Sequence, residues 1–188
     1  MVGTMAFTSS SSYSIHTFNS KWIADEKKKH KDASPVGFVS TNDILTSWAF
    51  RISQCDVGFM AINFRGRVEG VDRAHAGNYE SALGYQPDDY ATPALIRESI
   101  ATNGFRRARS RNFPSMLSNS STLVSSWVTL YESVELPGWT MLEHLPSVSS
   151  TVPFTSTTVF FQRTPTSIGV LLSSRKDLVV DDDPALAP

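Results

Sequence analysis

The single cysteine and the four histidines are the side chains of this 188-residue sequence whose ordinary pKa values best suit acid–base or nucleophilic chemistry near neutral pH: Cys55, His16, His30, His75 and His144. None of the histidines lies in the H-E-x-x-H pattern that places two zinc ligands on one helix face. The sequence also contains no glycine-rich phosphate loop and no G-x-S-x-G elbow around a nucleophilic serine. Cys55 has no nearby histidine to take its proton, so we interpret it as a buried, unreactive thiol. Taken alone, these residues predict no enzyme class.

Positive charge is concentrated in three short stretches. The run Lys27, Lys28 and Lys29 closes a short helical pattern at 19–29, where lysines favour the negative end of the helix dipole. Such a run is ordinarily a solvated face, and contact with a phosphate is the alternative.

Arginines make up the other two stretches. Arg65 and Arg67 follow an apolar run and are either surface residues or an anion site. The cluster at 106–111 has only Phe105 and Phe113 as aromatic neighbours, so it supports nucleic-acid binding weakly.

Bulk composition excludes several classes of protein. A net charge of −1 argues against a nucleic-acid or anionic-membrane binder, and 40% hydrophobic residues predict a folded core. No apolar run approaches the roughly 18 residues of a membrane span. Cys55 is the only cysteine, and the start of the chain lacks a secretory signal pattern, so we expect a reducing, cytoplasmic location.

A capped helix is predicted at 40–50. Ser40 or Thr41 can accept hydrogen bonds from the first turn, and Asp43 stands three residues after Ser40, as in a capping box. Apolar residues recur at helical spacing along one face: Ile44, Leu45, Trp48, Ala49 and Ile52. Locally this is the pattern of an ordinary core helix.

The remaining pattern predicts an α/β fold, a two-layer sandwich with a mixed β-sheet packed by helices. The apolar run at 56–68 is typical of a strand buried on both faces, and a helix at 92–104 opens with Pro93 and ends at Gly104. Strand-like stretches follow at 123–130, 134–145, 157–163 and 167–174, the last two as a hairpin. Their connections are too short for helical crossovers, so the sheet cannot be wholly parallel.

Four motifs occur in a fixed order along the chain: the lysine-bearing stretch at 18–29, Ser40-Thr41-Asn42-Asp43-Ile44-Leu45, the strand at 61–67 followed by Gly77-Asn78, and Ser125-Ser126-Trp127. Together they resemble the second half of a BAHD-type acyl-CoA-dependent acyltransferase, of the chloramphenicol-acetyltransferase-like superfamily. The resemblance covers 15–178, which we predict to be one lobe of that fold. A flexible serine-rich start at 1–14 and an acidic disordered tail at 179–188 would flank it.

The resemblance implies an activity and a set of site residues. An acyl group would move from acyl-CoA, a co-substrate rather than a bound cofactor, to a hydroxyl or amine acceptor, in a channel between two lobes. Residues at the acyl or acceptor pocket would be Ser125, Trp127, Gly138 and Trp139. Residues on the CoA side would be Ser40, Thr41, Lys27, Lys28 and Lys29.

Two departures from the family pattern stand out. The family's Asp-Phe-Gly-Trp-Gly falls on Leu136-Pro137-Gly138-Trp139-Thr140, so its structural aspartate is replaced by Leu136, with Glu135 as a neighbouring substitute. The catalytic His-x-x-x-Asp has no equivalent. The residues four places after the histidines are Ser20, Ser34, Tyr79 and Val148.

Two hypotheses about function follow. The first is a C-terminal acyltransferase lobe that is inactive alone and meets acyl-CoA and a small-molecule acceptor when joined to an N-terminal lobe. The second is a non-catalytic binding or scaffold protein derived from that lobe. The first predicts an exposed apolar wall that carries Trp127 and Trp139.

Overall fold

The computed structural model describes residues 11–34, 36–77, 79–101, 119–131, 135–147 and 153–188. Four predicted features lie outside them: the stretch 1–10, Asn78 of the Gly-Asn turn, the helix end at Gly104 and the arginine cluster at 106–111. The elements of the described part are β1 (Ser12–Thr17), α1 (Ser20–His30), α2 (Thr41–Ser53), β2 (Val57–Asn63), β3 (Glu80–Tyr85), α3 (Pro87–Tyr90), α4 (Pro93–Ala101), β4 (Ser121–Ser126), a 3₁₀ turn (Val128–Leu130), β5 (Ser156–Thr164) and β6 (Ser167–Ser174).

The described strands form one mixed sheet in the order β1-β6-β5-β4-β2-β3. β4 lies parallel to both β2 and β5, whereas the pairs β1–β6, β5–β6 and β2–β3 are antiparallel. The connection from β3 to β4 contains α3 and α4, as the crossover to a parallel strand requires. The predicted α/β fold with a mixed sheet and the predicted β5–β6 hairpin are therefore confirmed.

Helix α2 covers the centre of one sheet face. Near its start, Asn42 Nδ2 lies 3.8 Å from Met60 Sδ, and near its end the Phe50 ring lies over Gly58, where a Cβ would come within 2.7 Å of it. Because Asn42 lies near the middle of β2 and Phe50 over its beginning, α2 runs antiparallel to β2. The N-terminus of α2 is thus directed towards the carboxyl end of that strand.

The two faces of the sheet carry separate apolar clusters. Phe160 and Val170 belong to the main core beneath the helices. Their neighbours along β5 and β6 point the other way, since side chains alternate along a strand. Val159, Phe161 and Leu171 form that second cluster on the face away from α2.

The predicted capped helix is confirmed as α2, with Ser40 as its N-cap. Ser40 Oγ accepts a hydrogen bond from the Asp43 amide at 3.2 Å, and Asp43 Oδ2 accepts one from the Ser40 amide at 2.6 Å. These two bonds are the reciprocal bonds of a capping box. The predicted face is buried, with only Ile52 partly exposed.

The N-terminal prediction is wrong where residues 12–14 were assigned to a flexible start. They belong to β1, which pairs with β6 from Ser12 opposite Ser174 to Thr17 opposite Gly169. The pairing satisfies the backbone of a polar segment whose Tyr13 and Ile15 remain exposed. Backbone hydrogen bonds to a distant strand, rather than local hydrophobicity, therefore order this segment.

The acidic C-terminal segment is not a disordered tail in the structure. The Ala187 amide donates to Thr17 O at 2.8 Å, and the Asn19 amide donates to Ala185 O at 2.8 Å. Ala185 and Leu186 are buried against the main core. The segment pairs with the chain between β1 and α1, which its acidic, proline-bearing composition did not predict.

Three further differences concern strands and short helices. The predicted strand at 56–68 ends at Asn63, and the one at 123–130 ends at Ser126 before the 3₁₀ turn. Described residues of the predicted strand at 134–145 form no strand, although Pro137-Gly138 is the expected turn. β3 and α3 were not predicted, because the serine, glycine and acidic residues there carry no clear periodic signal.

Candidate functional site

Three parallel strands place the candidate residues at one edge of the sheet. β2, β4 and β5 have their carboxyl ends at the same edge, because β4 pairs in parallel with both neighbours. Ligands in open α/β sheets bind outside the carboxyl ends of the strands. Ser125 and Trp127 lie at this edge, at the end of β4 and just beyond it.

The Trp127 side chain is fixed in place by its neighbours. Its backbone amide donates to Phe160 O at 2.7 Å, which extends the β4–β5 ladder by one residue. Its indole Nε1 donates to Ser125 Oγ at 3.0 Å, and the ring packs on the second apolar cluster. Ser125 thus accepts the indole N–H, and no acceptor for its own hydroxyl proton is found among the described residues.

The segment at 135–147 lies against the end of β5, at the same edge of the sheet. The His144 amide donates to Arg163 O at 2.8 Å, and His144 Nδ1 lies 3.2 Å from Gln162 O, a carbonyl that can only accept. The His144 ring is 6.1 Å from that of Phe161, the centre of the second apolar cluster. Trp127 and the segment that carries Gly138 and Trp139 are therefore held beside each other on β5.

Gly138 and Trp139 form an exposed turn in that segment. The Trp139 amide donates to Leu136 O at 3.0 Å, and Gly138 adopts φ +80°, a left-handed conformation that glycine adopts without strain. The Trp139 side chain is 80% exposed, whereas Trp127 is partly buried. Neither tryptophan is deeply enclosed, as the half-enzyme hypothesis predicted, and no described contact joins the two.

Large apolar side chains are exposed along the whole segment. Leu142 is 85% exposed, and the other exposed members of this apolar surface are Leu130, Leu136, Trp139, Met141 and Leu145. Six large exposed apolar side chains therefore fall within 16 consecutive residues of the sequence. This apolar surface lies beside the site residues of β4.

Ser40 and Thr41 lie at the N-terminus of α2, near the same sheet edge. Ser40 is used in the capping box, and Arg97 adds hydrogen bonds to Asp43 Oδ2 from Nε at 2.7 Å and Nη2 at 2.6 Å. Asp43 Oδ1 is buried with no partner among the described residues. These contacts make the Ser40 hydroxyl a structural group, while the N-terminal dipole of α2 favours an anion nearby.

Lys27, Lys28 and Lys29 lie in the last turn of α1. Lys29 Nζ is paired with Glu26 at 3.0 Å, and Lys27 and Lys28 are exposed. Lys29 also borders a groove between α1 and α2 that Trp22, Trp48 and Arg51 help to line. No described contact brings this group together with Ser40 or Thr41.

Two other candidate residues are accounted for by local structure. The Arg65 guanidinium donates to His75 O at 2.8 Å and to Gly77 O, and it lies over the Tyr79 ring. It therefore ties the loop after β2 rather than offering a free anion site. Cys55 is buried, and that burial raises the pKa of its thiol, as expected for an unreactive cysteine.

Sequence comparisons find no matching family model and no matching curated protein. Structural comparison does find matches. TRI101 from F. sporotrichioides, crystallised with coenzyme A and T-2, matches 93% of this chain and 49% of its own at 16% identity, with a TM-score of 0.58. TRI101 from F. graminearum, with coenzyme A and deoxynivalenol, matches 90% and 46% at 18% identity, with a TM-score of 0.58. Vinorine synthase matches 92% and 47% at 14% identity, again with a TM-score of 0.58.

The chain has a BAHD-type acyltransferase fold. It spans about half the length of the solved structures that it matches. Because the identities are below 20%, the likeness establishes the BAHD-type fold and not the reaction. The roles of the candidate residues stay predictions.

Sequence reasoning missed Arg163, and it considered His144 only for catalytic or metal chemistry. The structure shows that both residues fix the segment at 135–147 to β5. Their arrangement depends on an irregularity in β5 that no local pattern signals. The described residues contain no group of three or more His, Cys, Asp and Glu side chains placed to hold a metal ion. None of the helices in the described part is long and apolar enough to cross a membrane.

Proposed function

We propose that this chain is the C-terminal half of an acyltransferase that moves an acyl group from acyl-CoA to a hydroxyl or amine. The observation that carries the proposal is the match of nine-tenths of this chain to about half of TRI101, a protein crystallised with coenzyme A. The apolar surface supports it, because a second lobe packed there would remove that surface from water.

The site residues divide between the two substrates in this proposal. Ser125, Trp127, Gly138 and Trp139 line the wall for the acyl group and its acceptor. The Ser125 hydroxyl, held by the Trp127 indole, keeps its proton to donate to an oxyanion. On the CoA side, Ser40 and Thr41 present the N-terminus of α2, while Lys27, Lys28 and Lys29 provide positive charge for phosphates.

The reaction requires a general base that no histidine of this sequence supplies in the family's pattern. In the proposed complete enzyme, an N-terminal lobe brings that base to the acceptor and removes its proton. The acceptor oxygen or nitrogen attacks the thioester carbonyl, and the tetrahedral oxyanion collapses with cleavage of the C–S bond. The CoA thiolate then takes up a proton. A well-placed base contributes about 10²–10⁴ in rate.

Two assays on the purified chain test this proposal. In the first, acetyl-CoA is mixed with the chain and a panel of alcohols and amines, and the release of CoA thiol is followed. We expect no release above the rate without protein. Turnover by the chain alone would overturn the claim that the base lies elsewhere.

The second assay measures CoA binding by calorimetric titration. We expect CoA to bind, and the triple change of Lys27, Lys28 and Lys29 to alanine to weaken binding. Lys21→Ala is the matched control, because Lys21 is an exposed lysine on the same helix, paired only with Asp25. Absence of CoA binding would favour the alternative, a binding or scaffold protein that has the lobe without its chemistry.

A further inference from the structure

Strand β5 contains a bulge at Arg163. Gln162 pairs with Ile168 of β6 and Thr164 pairs with Ser167, so Arg163 is an extra residue with no partner in the register. A bulge bends the strand and redirects the side chain of the extra residue. Arg163 is thus placed to reach groups outside the β5–β6 hairpin.

The Arg163 guanidinium contacts two segments that are distant in sequence. Its Nε donates to Glu143 Oε2 at 2.7 Å, and its Nη1 donates to Thr17 Oγ1 at 2.8 Å. Glu143 belongs to the segment at 135–147, and Thr17 is the last residue of β1. One partly buried side chain therefore ties both segments to the end of β5.

The backbone of the bulge forms a second set of ties. Beyond Phe160, whose carbonyl accepts from Trp127, β4 no longer pairs with β5, and the carbonyls of Gln162 and Arg163 are used by His144 instead. Within the described residues, the hydrogen bonds from 135–147 to the sheet all end on Gln162 or Arg163. The segment has no helix or strand of its own. These ties hold it in place together with the contacts of Tyr131 to Met141 and to the His144 ring.

We propose that Arg163 is a positioning residue, and that the bulge around it holds the Gly138–Trp139 turn at the site. The Glu143–Arg163 pair fixes the segment by a charged contact on the C-terminal side of the turn. On the N-terminal side, Leu136 stands where the resembled family has an aspartate. A planar guanidinium suits this role, because it keeps two donors in fixed relative directions. We call the bonds of Arg163 to Glu143 and to Thr17 the clamp. The clamp does not depend on the proposed function. The statement that the turn faces an acyl channel does rest on the proposed function.

Hydrogen exchange of the whole chain, followed by mass spectrometry, tests the clamp. Glu143→Gln removes one charge from a surface-accessible position and should not prevent folding. We expect exchange in 135–147 to become about two- to fivefold faster, because an ion pair with an exposed partner is screened by water and contributes only a small factor. Exchange in β1 should stay unchanged in this variant.

Arg163→Gln, compared with Glu143→Gln, distinguishes the bond to Thr17 from the bond to Glu143. It removes the bonds to both Glu143 and Thr17, so we expect faster exchange in 135–147 and in β1. The double variant Glu143→Arg with Arg163→Glu restores an ion pair with reversed sign. Hydrogen exchange in 135–147 should then return towards the wild-type rate, while exchange in β1 should stay fast. Asp25→Asn, which removes an exposed ion pair on α1, is the control and should change neither region.

The outcomes decide the proposal in either direction. Unchanged exchange in 135–147 in both single variants would overturn it. Equal acceleration throughout the sheet would also overturn it, because Arg163 would then contribute only to overall stability. This experiment uses no CoA, so its failure would leave the acyltransferase proposal standing, and failure of CoA binding would leave the clamp standing.

Discussion

At the scale of single residues, Asp43 shows how a buried charge is held in this fold. It is fully buried, caps α2 through the Ser40 amide, and accepts two hydrogen bonds from Arg97. Arg97 is itself only partly exposed and also lies 4.8 Å from the centre of the Phe38 ring. The motif residues that resemble the acyltransferase pattern therefore have a structural reason to be present.

Asp43→Ala should strongly destabilise the protein. The change removes the capping box and leaves the Arg97 charge largely buried without a partner, a loss of about 3–5 kcal/mol in comparable cases. The free energy of unfolding would be measured by urea titration. Asp25→Asn is the control, since its exposed pair with Lys21 should contribute nothing measurable. Equal stability of the Asp43→Ala variant and the wild type would contradict this account.

At the scale of elements, local pattern predicts some parts of this fold and not others. α2 was predictable because its apolar face and its length are encoded within its own 13 residues, and its cap, Ser40, comes immediately before them. The β5–β6 hairpin was predictable for the same reason, since a short turn joins its strands. β1 was not, because its order comes from pairing with β6, more than 150 residues away, and its own side chains remain largely exposed.

In the candidate site, too, the features encoded by neighbouring residues were predictable and the contacts between distant segments were not. Ser125 and Trp127 could be placed at a strand end from sequence, and the turn at Gly138 was recognisable from Pro137-Gly138. That the turn sits beside β5, on the strand that Trp127 also contacts, depends on the bulge at Arg163 and on His144, which make contacts between distant segments. Local sequence patterns contain no signal for such contacts.

The starts of β2 and β4 are linked by a contact that should be sensitive to pH. Asp56 accepts hydrogen bonds from Ser120 Oγ and the Ser120 amide, both at 2.8 Å, and the hydroxyl bond above all lowers the pKa of this carboxyl. A lowered folded-state pKa stabilises the fold above the ordinary carboxyl pKa of about 3.9. That contribution is lost as the pH falls through the folded-state pKa.

Asp56→Asn should therefore flatten part of the acid dependence of stability. Urea titrations at a series of pH values would show a smaller loss between neutral and acidic pH in the variant than in the wild type. The difference should be small, because Asp56 is exposed and water screens its interactions. Ser120→Ala should reproduce much of it by removing the hydroxyl donor. Identical pH profiles for the three proteins would refute the assignment.

The C-terminal segment is an element in its own right, held to α2 by a partly buried side-chain hydrogen bond. Trp48 Nε1 donates to Asp183 Oδ2 at 3.0 Å, and Trp48 is only 3% exposed. Asp183→Ala should lower the free energy of unfolding by about 1–3 kcal/mol, because the indole N–H is left buried without an acceptor.

Two neighbouring variants make that measurement specific. Asp183→Asn keeps an acceptor oxygen and should cost less than the alanine variant. Asp181→Ala changes an exposed acidic residue of the same segment and should have no measurable effect. A disordered tail would instead leave all three variants as stable as the wild type in urea titrations.

At the scale of the whole molecule, the residues that the structure describes cover the two faces of the sheet unequally. One face has the helices and the main core, whereas the other has the small cluster around Phe161 and the segment at 135–147. The segment that carries most of the apolar surface is tied to the end of β5, and its His144 ring lies 6.1 Å from the Phe161 ring on this less covered side. The chain also spans only about half of each structure that it matches. Both facts support the proposal that a second lobe packs against this side of the sheet.

A lobe with this apolar surface should associate with itself when no second lobe is present. Leu142→Glu should weaken that association, because it puts a charge at an 85% exposed position within the surface. Val179→Glu is the matched control, since Val179 is 84% exposed but lies outside the surface. Sedimentation velocity over a range of concentrations would show a shift to monomer for Leu142→Glu and none for Val179→Glu. If the wild-type chain stays monomeric at every concentration, exposure of these side chains does not drive association, and the argument for a covering lobe loses its support from this surface.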